Sequence, residues 1–187
     1  MHSSTFLVVY YSRSGTTQKV AEELARLLKA DIEVIRESLN RRGFLGYLRS
    51  IFEVRLRCAA KIADPGNGPS RHTVVIVGTP VWAWSVSSPV RAYLEAHKRQ
   101  LQNVAFFCTQ GGSGSDRAFA QMQDIVGTQA QATCTFLARD VASDRYKQPL
   151  ADFAETLRRL GRQPKAVRKR RPRSKRVERA QHAGSRS

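Results

Sequence analysis

Apolar residues along this chain fall into two alternating patterns. Continuous runs occur at Phe6–Tyr11, Thr73–Val77 and Val104–Cys108, with a shorter one at Thr135–Ala138. Runs of this length are those of strands buried on both faces, as in a parallel sheet. Asp31–Ile35 alternates instead, which places it nearer a sheet edge. Between the runs the period becomes helical. Val20, Leu24, Leu27 and Leu28 share one face, with Glu22, Glu23 and Lys29 opposite. Val90, Tyr93 and Leu94 make a second stripe, and Phe119, Met122, Ile125 and Val126 a third. A last helix is expected from Pro149, in its first turn, to Leu160, with Phe153, Leu157 and Leu160 inward and Gly161 ending it.

Strands alternating with helices in this way define a three-layer α/β sheet with right-handed crossovers. Such sheets bind ligands beyond the carboxyl ends of their strands, where the strand order reverses. The loops after the first, third and fourth strands are therefore where function is to be sought. The connection from Ser38 to Asn67 is long for a crossover and mixes Phe44, Leu45, Leu48, Ile51 and Phe52 with Arg41, Arg42, Arg49, Arg55 and Arg57. It reads as a basic amphipathic helix packed on the sheet with its arginines in water; the alternative is a helix lying on a membrane surface.

The first loop, SRSGTT, sets Ser12, Ser14, Thr16 and Thr17 around Gly15, directly before a helix. Four hydroxyls, the free N–H groups of Gly15 to Gln18 and the positive end of the helix converge there, which suits a phosphate. A plain helix cap would use the same residue types. Other phosphate sites lack their marks: there is no GK[ST], no GxGxxG and no cysteine in the turn. A receiver domain of this architecture would end its third strand on an aspartate, whereas here that strand ends Val77-Gly78-Thr79. The second loop, GTPVWAWSVSSPV, places Trp82 and Trp84 after a buried strand, as an apolar wall for a flat ligand, and their alternation lets one of them face it. In the third, TQGGSGSD, the glycines at 111, 112 and 114 let backbone amides approach a planar polar edge, with Thr109, Gln110 and Ser113 adding hydrogen bonds.

With the three loops taken in this order, the sequence resembles the flavodoxin-like family over about residues 5 to 161. SxSGTT is similar to its (S/T)xTGxT phosphate loop, with Ser14 in place of threonine, and GTPVWAW and TQGGSG lie where its flavin loops belong. The resemblance implies a five-stranded parallel sheet of order 2-1-3-4-5 and FMN as cofactor. It implies phosphate contacts from Ser12, Arg13, Ser14, Gly15, Thr16 and Thr17. The isoalloxazine would lie between Thr79, Pro80, Val81, Trp82, Ala83 and Trp84 on one side and Thr109, Gln110, Gly111, Gly112, Ser113 and Gly114 on the other.

In flavin enzymes the protein binds, orients and tunes the ring, so no acid or base is required of it. Consistent with that, His2, His72, His97 and His182 are scattered, and no GxSxG elbow or metal-ligand cluster is present. Electron-carrying flavodoxins commonly cover the ring with an aromatic from each flavin loop and show an acidic face. Here the third loop has no aromatic, although Tyr146 is a candidate cover, and the chain is basic, with a formal charge of +17. The expected activity is that of an FMN-dependent oxidoreductase, similar to NAD(P)H:quinone oxidoreductases, passing electrons from NAD(P)H or another donor to a quinone-like acceptor. The alternatives are a flavodoxin-type electron carrier docking on an acidic redox partner and a quinone-linked enzyme similar to protoporphyrinogen oxidase. Quinone reductases of this fold are often oligomers, which makes a homodimer an expectation as well.

Length and charge set the remaining bounds. A chain of 187 residues with 41% apolar content fits one domain, taken as residues 1 to 161. Residues 162 to 187 hold 11 Lys and Arg against a single acid, Glu178, and have no aromatic residue, so a disordered tail is expected. Such a tail could bind nucleic acid or an anionic membrane weakly, through phosphates and without sequence preference. Cys58, Cys108 and Cys134 form no CxxC or even framework, which fits a reducing compartment. No apolar run approaches a membrane span, so a cytoplasmic protein is expected, peripheral to a membrane if at all.

Overall fold

In the computed structural model the chain is described over residues 4–36 and 68–162. The connection from Ser38 to Asn67, read as a basic amphipathic helix, and the tail beyond Arg162 lie outside the described residues. The strands are β1 (Phe6–Tyr10), β2 (Asp31–Val34), β3 (Val74–Trp82), β4 (Ser85–Val86), β5 (Val104–Gln110) and β6 (Thr133–Leu137). The helices are α1 (Thr16–Leu28), α2 (Ser88–His97), α3 (Ser115–Val126), α4 (Ala138–Ala142) and α5 (Lys147–Arg162).

Five strands run parallel in the order β2-β1-β3-β5-β6. This is the expected 2-1-3-4-5 arrangement once β4, a two-residue strand paired antiparallel to β3, is set aside. Side chains alternate across a strand, so each central strand feeds both faces. Phe6, Val8 and Tyr10 join Val74, Ile76 and Phe107 beneath α1 and α5, while Leu7, Val9, Val75, Val77 and Phe106 meet Val90, Leu94, Phe119 and Met122 from α2 and α3. Gly78 lies opposite Phe107 in the ladder, and a Cβ on it would sit 2.1 Å from the Phe107 ring; the missing side chain makes room for the large one.

Three sequence expectations change. The fifth strand spans Thr133–Leu137 and is not buried on both faces: only Phe136 is buried, because this strand ends the sheet. The third strand continues to Trp82 and turns back into β4, so the tryptophan segment is a hairpin and not an irregular loop. Gly161 does not end the last helix, which continues to Arg162. A Cβ at Gly161 would lie 2.4 Å from the Phe6 ring, so glycine is there for close packing of α5 against β1.

Candidate functional site

The strand ends bring the three loops together. Tyr11 N–H donates to the Gly78 carbonyl, and Pro80 pairs with Thr109 in the ladder, so the chain leaves β1, β3 and β5 at adjacent points. A cleft of about 340 Å³ opens over them, lined from all three: Arg13, Ser14, Thr16 and Thr17; Pro80, Val81 and Trp82; Thr109, Gln110 and Gly111. Ala138, at the start of α4, completes it. A second groove of about 390 Å³ shares Ser14, Thr16 and Ala138 with the cleft and continues along α1 past Gly15 and Lys19 to Val141.

At the β1–α1 turn, Gly15 has φ 89°, a conformation glycine adopts without strain, and its N–H donates to Ser12 Oγ at 3.1 Å. Among the described residues no side chain caps α1, and its first turn holds no acid. By helix geometry the N–H groups of Thr16, Thr17 and Gln18 have no partner within the helix, so an anion placed there would meet free donors and the positive end of the dipole. Ser14 and Thr16 present exposed hydroxyls 3.4 Å apart. Thr17 is buried at the floor of the cleft, where its hydroxyl shares a 2.8 Å hydrogen bond with that of Thr109, tying α1 to β5.

Of the two tryptophans, Trp82 lines the cleft, with its ring held edge-on by Tyr11 at 5.6 Å between centroids. Ala83 and Trp84 form the tip of the hairpin with φ 47° and 57°, as a type I′ turn requires. Trp84 is not among the residues lining the cleft; it is 59% exposed and donates from Nε1 to Ser113 Oγ at 3.1 Å. Gly114 has φ 110°, and a Cβ there would lie 2.9 Å from Trp84 Cα. Ser113 and Gly114 thus hold the hairpin tip, and with Ala83 and Trp84 they lie beside the cleft lining. Thr79, read from the sequence as a flavin-loop residue, is fully buried, and its hydroxyl engages Ser87 Oγ and the Ser87 N–H at the start of α2.

In the third loop Gln110 folds the chain back, its Oε1 accepting from Ser115 N–H and its Nε2 donating to the Gly112 carbonyl. Gly111 and Gly112 have open space where a Cβ would stand, as does Gly15. Protein packing does not demand glycine at 111 or 112, whereas a ligand lying close to the backbone would.

Two features of the site were not read from the sequence. Ala138 joins it from a short helix that the run Thr135–Ala138 concealed. Lys19 lines the neighbouring groove, held by Asp144 at 2.8 Å and the Val141 carbonyl at 3.0 Å, with its ammonium 5.5 Å from the Tyr146 ring. The Asp144 hydrogen bond raises the Lys19 pKa, and the same bond, with that from Lys147, lowers that of Asp144. Tyr146 is itself buried against Phe136, away from the cleft lining, and burial raises its pKa. Among the described residues, no cluster of His, Cys, Asp and Glu is arranged to hold a metal ion, and no helix is long and apolar enough to cross a membrane.

A parallel α/β sheet of this order, with a cleft over its reversal point, defines a doubly wound ligand-binding protein. Residues 5–152 match the flavodoxin family model, and the chain belongs to the flavodoxin family. Among solved structures it is similar to a flavoprotein from Lactobacillus acidophilus NCFM in complex with FMN. That likeness has 20% identity, a TM-score of 0.51 and coverage of 78% of this chain and 99% of the other. It is similar also to RosB with bound 8-demethyl-8-formylriboflavin-5'-phosphate, at 10% identity and a TM-score of 0.55, covering 97% of this chain and 98% of that one. No curated protein matches the sequence significantly. Family membership supports FMN as the group held here, and the residues present fit it: an uncapped helix start for the phosphate, one aromatic wall for the ring, and glycines whose missing side chains leave the opposite wall open.

Proposed function

We propose that this chain binds FMN in the cleft above β1, β3 and β5 and acts as an oxidoreductase, taking electrons from NAD(P)H or another donor and passing them to a quinone-like acceptor. Ser12, Ser14, Gly15, Thr16 and the first N–H groups of α1 hold the phosphate, and Arg13 adds a positive charge at the rim. Trp82 and Val81 form one side of the ring site, and Thr109 to Gly111 the other. When bound, FMN supplies the redox chemistry; the chain orients the ring and keeps water from its buried edge.

One observation carries the enzyme reading: the cleft has an aromatic on one wall, Trp82, and only Thr109, Gln110 and Gly111 on the wall from β5. A ring lying there keeps one face accessible to a flat second substrate. Tyr146, in the turn before α5, packs against Phe136, and neither it nor any aromatic of the third loop lines the cleft. Steady-state oxidation of NADH and NADPH by the FMN-loaded protein, with a soluble quinone as acceptor, tests this; turnover above that of free FMN supports it, and none refutes it. The second reading, an electron carrier for an acidic redox protein, is favoured by the net charge of +17, since basic surfaces steer acidic partners. Salt-sensitive reduction by such a protein, without NAD(P)H turnover, supports that alternative.

A further inference from the structure

We infer that Gln121, on α3 and outside the cleft, is the positioning residue that holds the aromatic wall of the flavin site in its binding conformation; the inference rests on the FMN reading above. The hairpin carrying Trp82 is set in a backbone conformation that side-chain-bearing residues seldom adopt. Ala83 and Trp84 are consecutive non-glycine residues at φ 47° and 57°, where asparagine and glycine are usual. Such a conformation persists only where its surroundings over-determine it. β4, which closes the hairpin, is two residues long and, among the described residues, pairs with β3 alone. Its own ladder is too short to hold the tip.

The additional restraint converges on one atom. Gln121 Oε1 accepts from Ser85 Oγ at 2.7 Å, from Val86 N–H at 3.2 Å and from Arg91 Nη2 at 2.9 Å. It thereby joins both residues of β4 to α2 and α3, two helices anchored in the core beneath the sheet. Val86 is 4% exposed, so its N–H has little access to water if the acceptor is lost, and the hairpin must move to satisfy it. At the tip itself Trp84 packs on Gly114 and donates from Nε1 to Ser113 Oγ, a solvent-exposed hydrogen bond. Exposed hydrogen bonds compete with water, so the Gln121 contacts carry most of the constraint.

When a hairpin leaves its binding conformation part of the time, apparent affinity falls by the fraction that remains competent. The effect acts on the ring end of the ligand and leaves the phosphate end alone. Gln121→Leu therefore weakens FMN and riboflavin by the same factor, roughly tenfold, equivalent to about 1.4 kcal/mol. Gln121→Glu keeps the acceptor, gains an ion pair with Arg91 and restores both affinities. Ser85→Ala, which removes one donor of three, gives a smaller loss in the same direction. Amide exchange at Val86 accelerates in Gln121→Leu and returns to the wild-type rate in Gln121→Glu.

The experiment is flavin-fluorescence titration of the wild type and the three variants with FMN and with riboflavin, alongside hydrogen exchange and thermal melting. Equal losses for both flavins, with rescue by Glu, bear the inference out. Unchanged binding by Gln121→Leu, a loss confined to FMN, or failure of Glu to rescue overturns it while the flavin site stands. A wild-type chain that binds neither flavin overturns the FMN reading and this inference with it.

Discussion

The hydroxyl of Thr17, in the first turn of α1, lies 2.8 Å from that of Thr109 near the end of β5, 92 residues away in sequence. Both residues are largely buried and line the floor of the cleft, where the contact joins the phosphate turn to the ring loop. It fixes the distance between the two ends of the proposed FMN site. Replacing one partner leaves the other hydroxyl buried without its bond, at a cost of about 1–3 kcal/mol, whereas replacing both costs less than the sum. Chemical denaturation of Thr17→Val, Thr109→Val and the double variant is expected to show this non-additivity. Additive losses would mean that the two hydroxyls act independently.

Two glycines in one loop separate packing from ligand contact. Gly114 has φ 110° and faces Trp84 Cα, so Gly114→Ala strains the backbone and displaces the hairpin; a loss of about 2 kcal/mol or more is expected in thermal or denaturant unfolding. Gly111 faces open space within the cleft, and Gly111→Ala is expected to leave stability within about 0.5 kcal/mol while weakening FMN binding. If Gly111→Ala binds FMN as the wild type does, the flavin does not lie against that loop.

The Lys19–Asp144 pair sets an acid-side dependence. Asp144 has its carboxyl pKa held below the ordinary 3.8, first by the hydrogen bond from Lys19 and then by that from Lys147. A carboxylate depressed on folding stabilises the protein fully above its unfolded pKa, and that contribution is lost as pH falls through the lower, folded value. The contribution of Lys19, raised by the same bond, is complete below 10.5 and is lost as pH climbs through its folded value. Asp144→Asn is expected to lower the neutral-pH melting temperature slightly and to flatten its fall below about pH 3.8. An unchanged acid limb would show that the pair contributes nothing.

Enclosure raises the thiol pKa of the buried Cys108 and of the half-buried Cys134. It pushes the Cys108 thiol up to about 12 and the Cys134 thiol up to about 11, from an ordinary 9.0. The thiolate is the reactive form, so at pH 8 the native Cys108 is expected to alkylate more slowly than a free thiol. Mass-mapped iodoacetamide labelling, native against denatured, checks both positions.

The elements that the sequence discloses are those with one dominant period. Val20, Leu24 and Leu28 on α1, and the apolar runs of β1 and β5, report burial that the fold then provides. The order and spacing of SRSGTT, GTPVWAW and TQGGSG likewise anticipate three loops over one cleft. What stays hidden depends on contacts remote in sequence. The hairpin at 82–85 lacks the Asn-Gly that announces such turns and is held by Gln121, some 35 residues on. Gly161 looks like a helix stop until the Phe6 ring is seen against it. Thr79 looks like a ligand hydroxyl because a hydroxyl beside a cleft and one buried beneath it have the same sequence.

Titration of the purified, flavin-free chain with FMN, followed by absorption and by quenching of flavin fluorescence, tests the central claim most directly. The account predicts saturation at one FMN per chain, flavin bands in the visible, and loss of that binding when Gly15 is replaced by valine in a chain that still folds. A chain that stays colourless with FMN in excess, or a Gly15→Val variant that binds as tightly as the wild type, contradicts it.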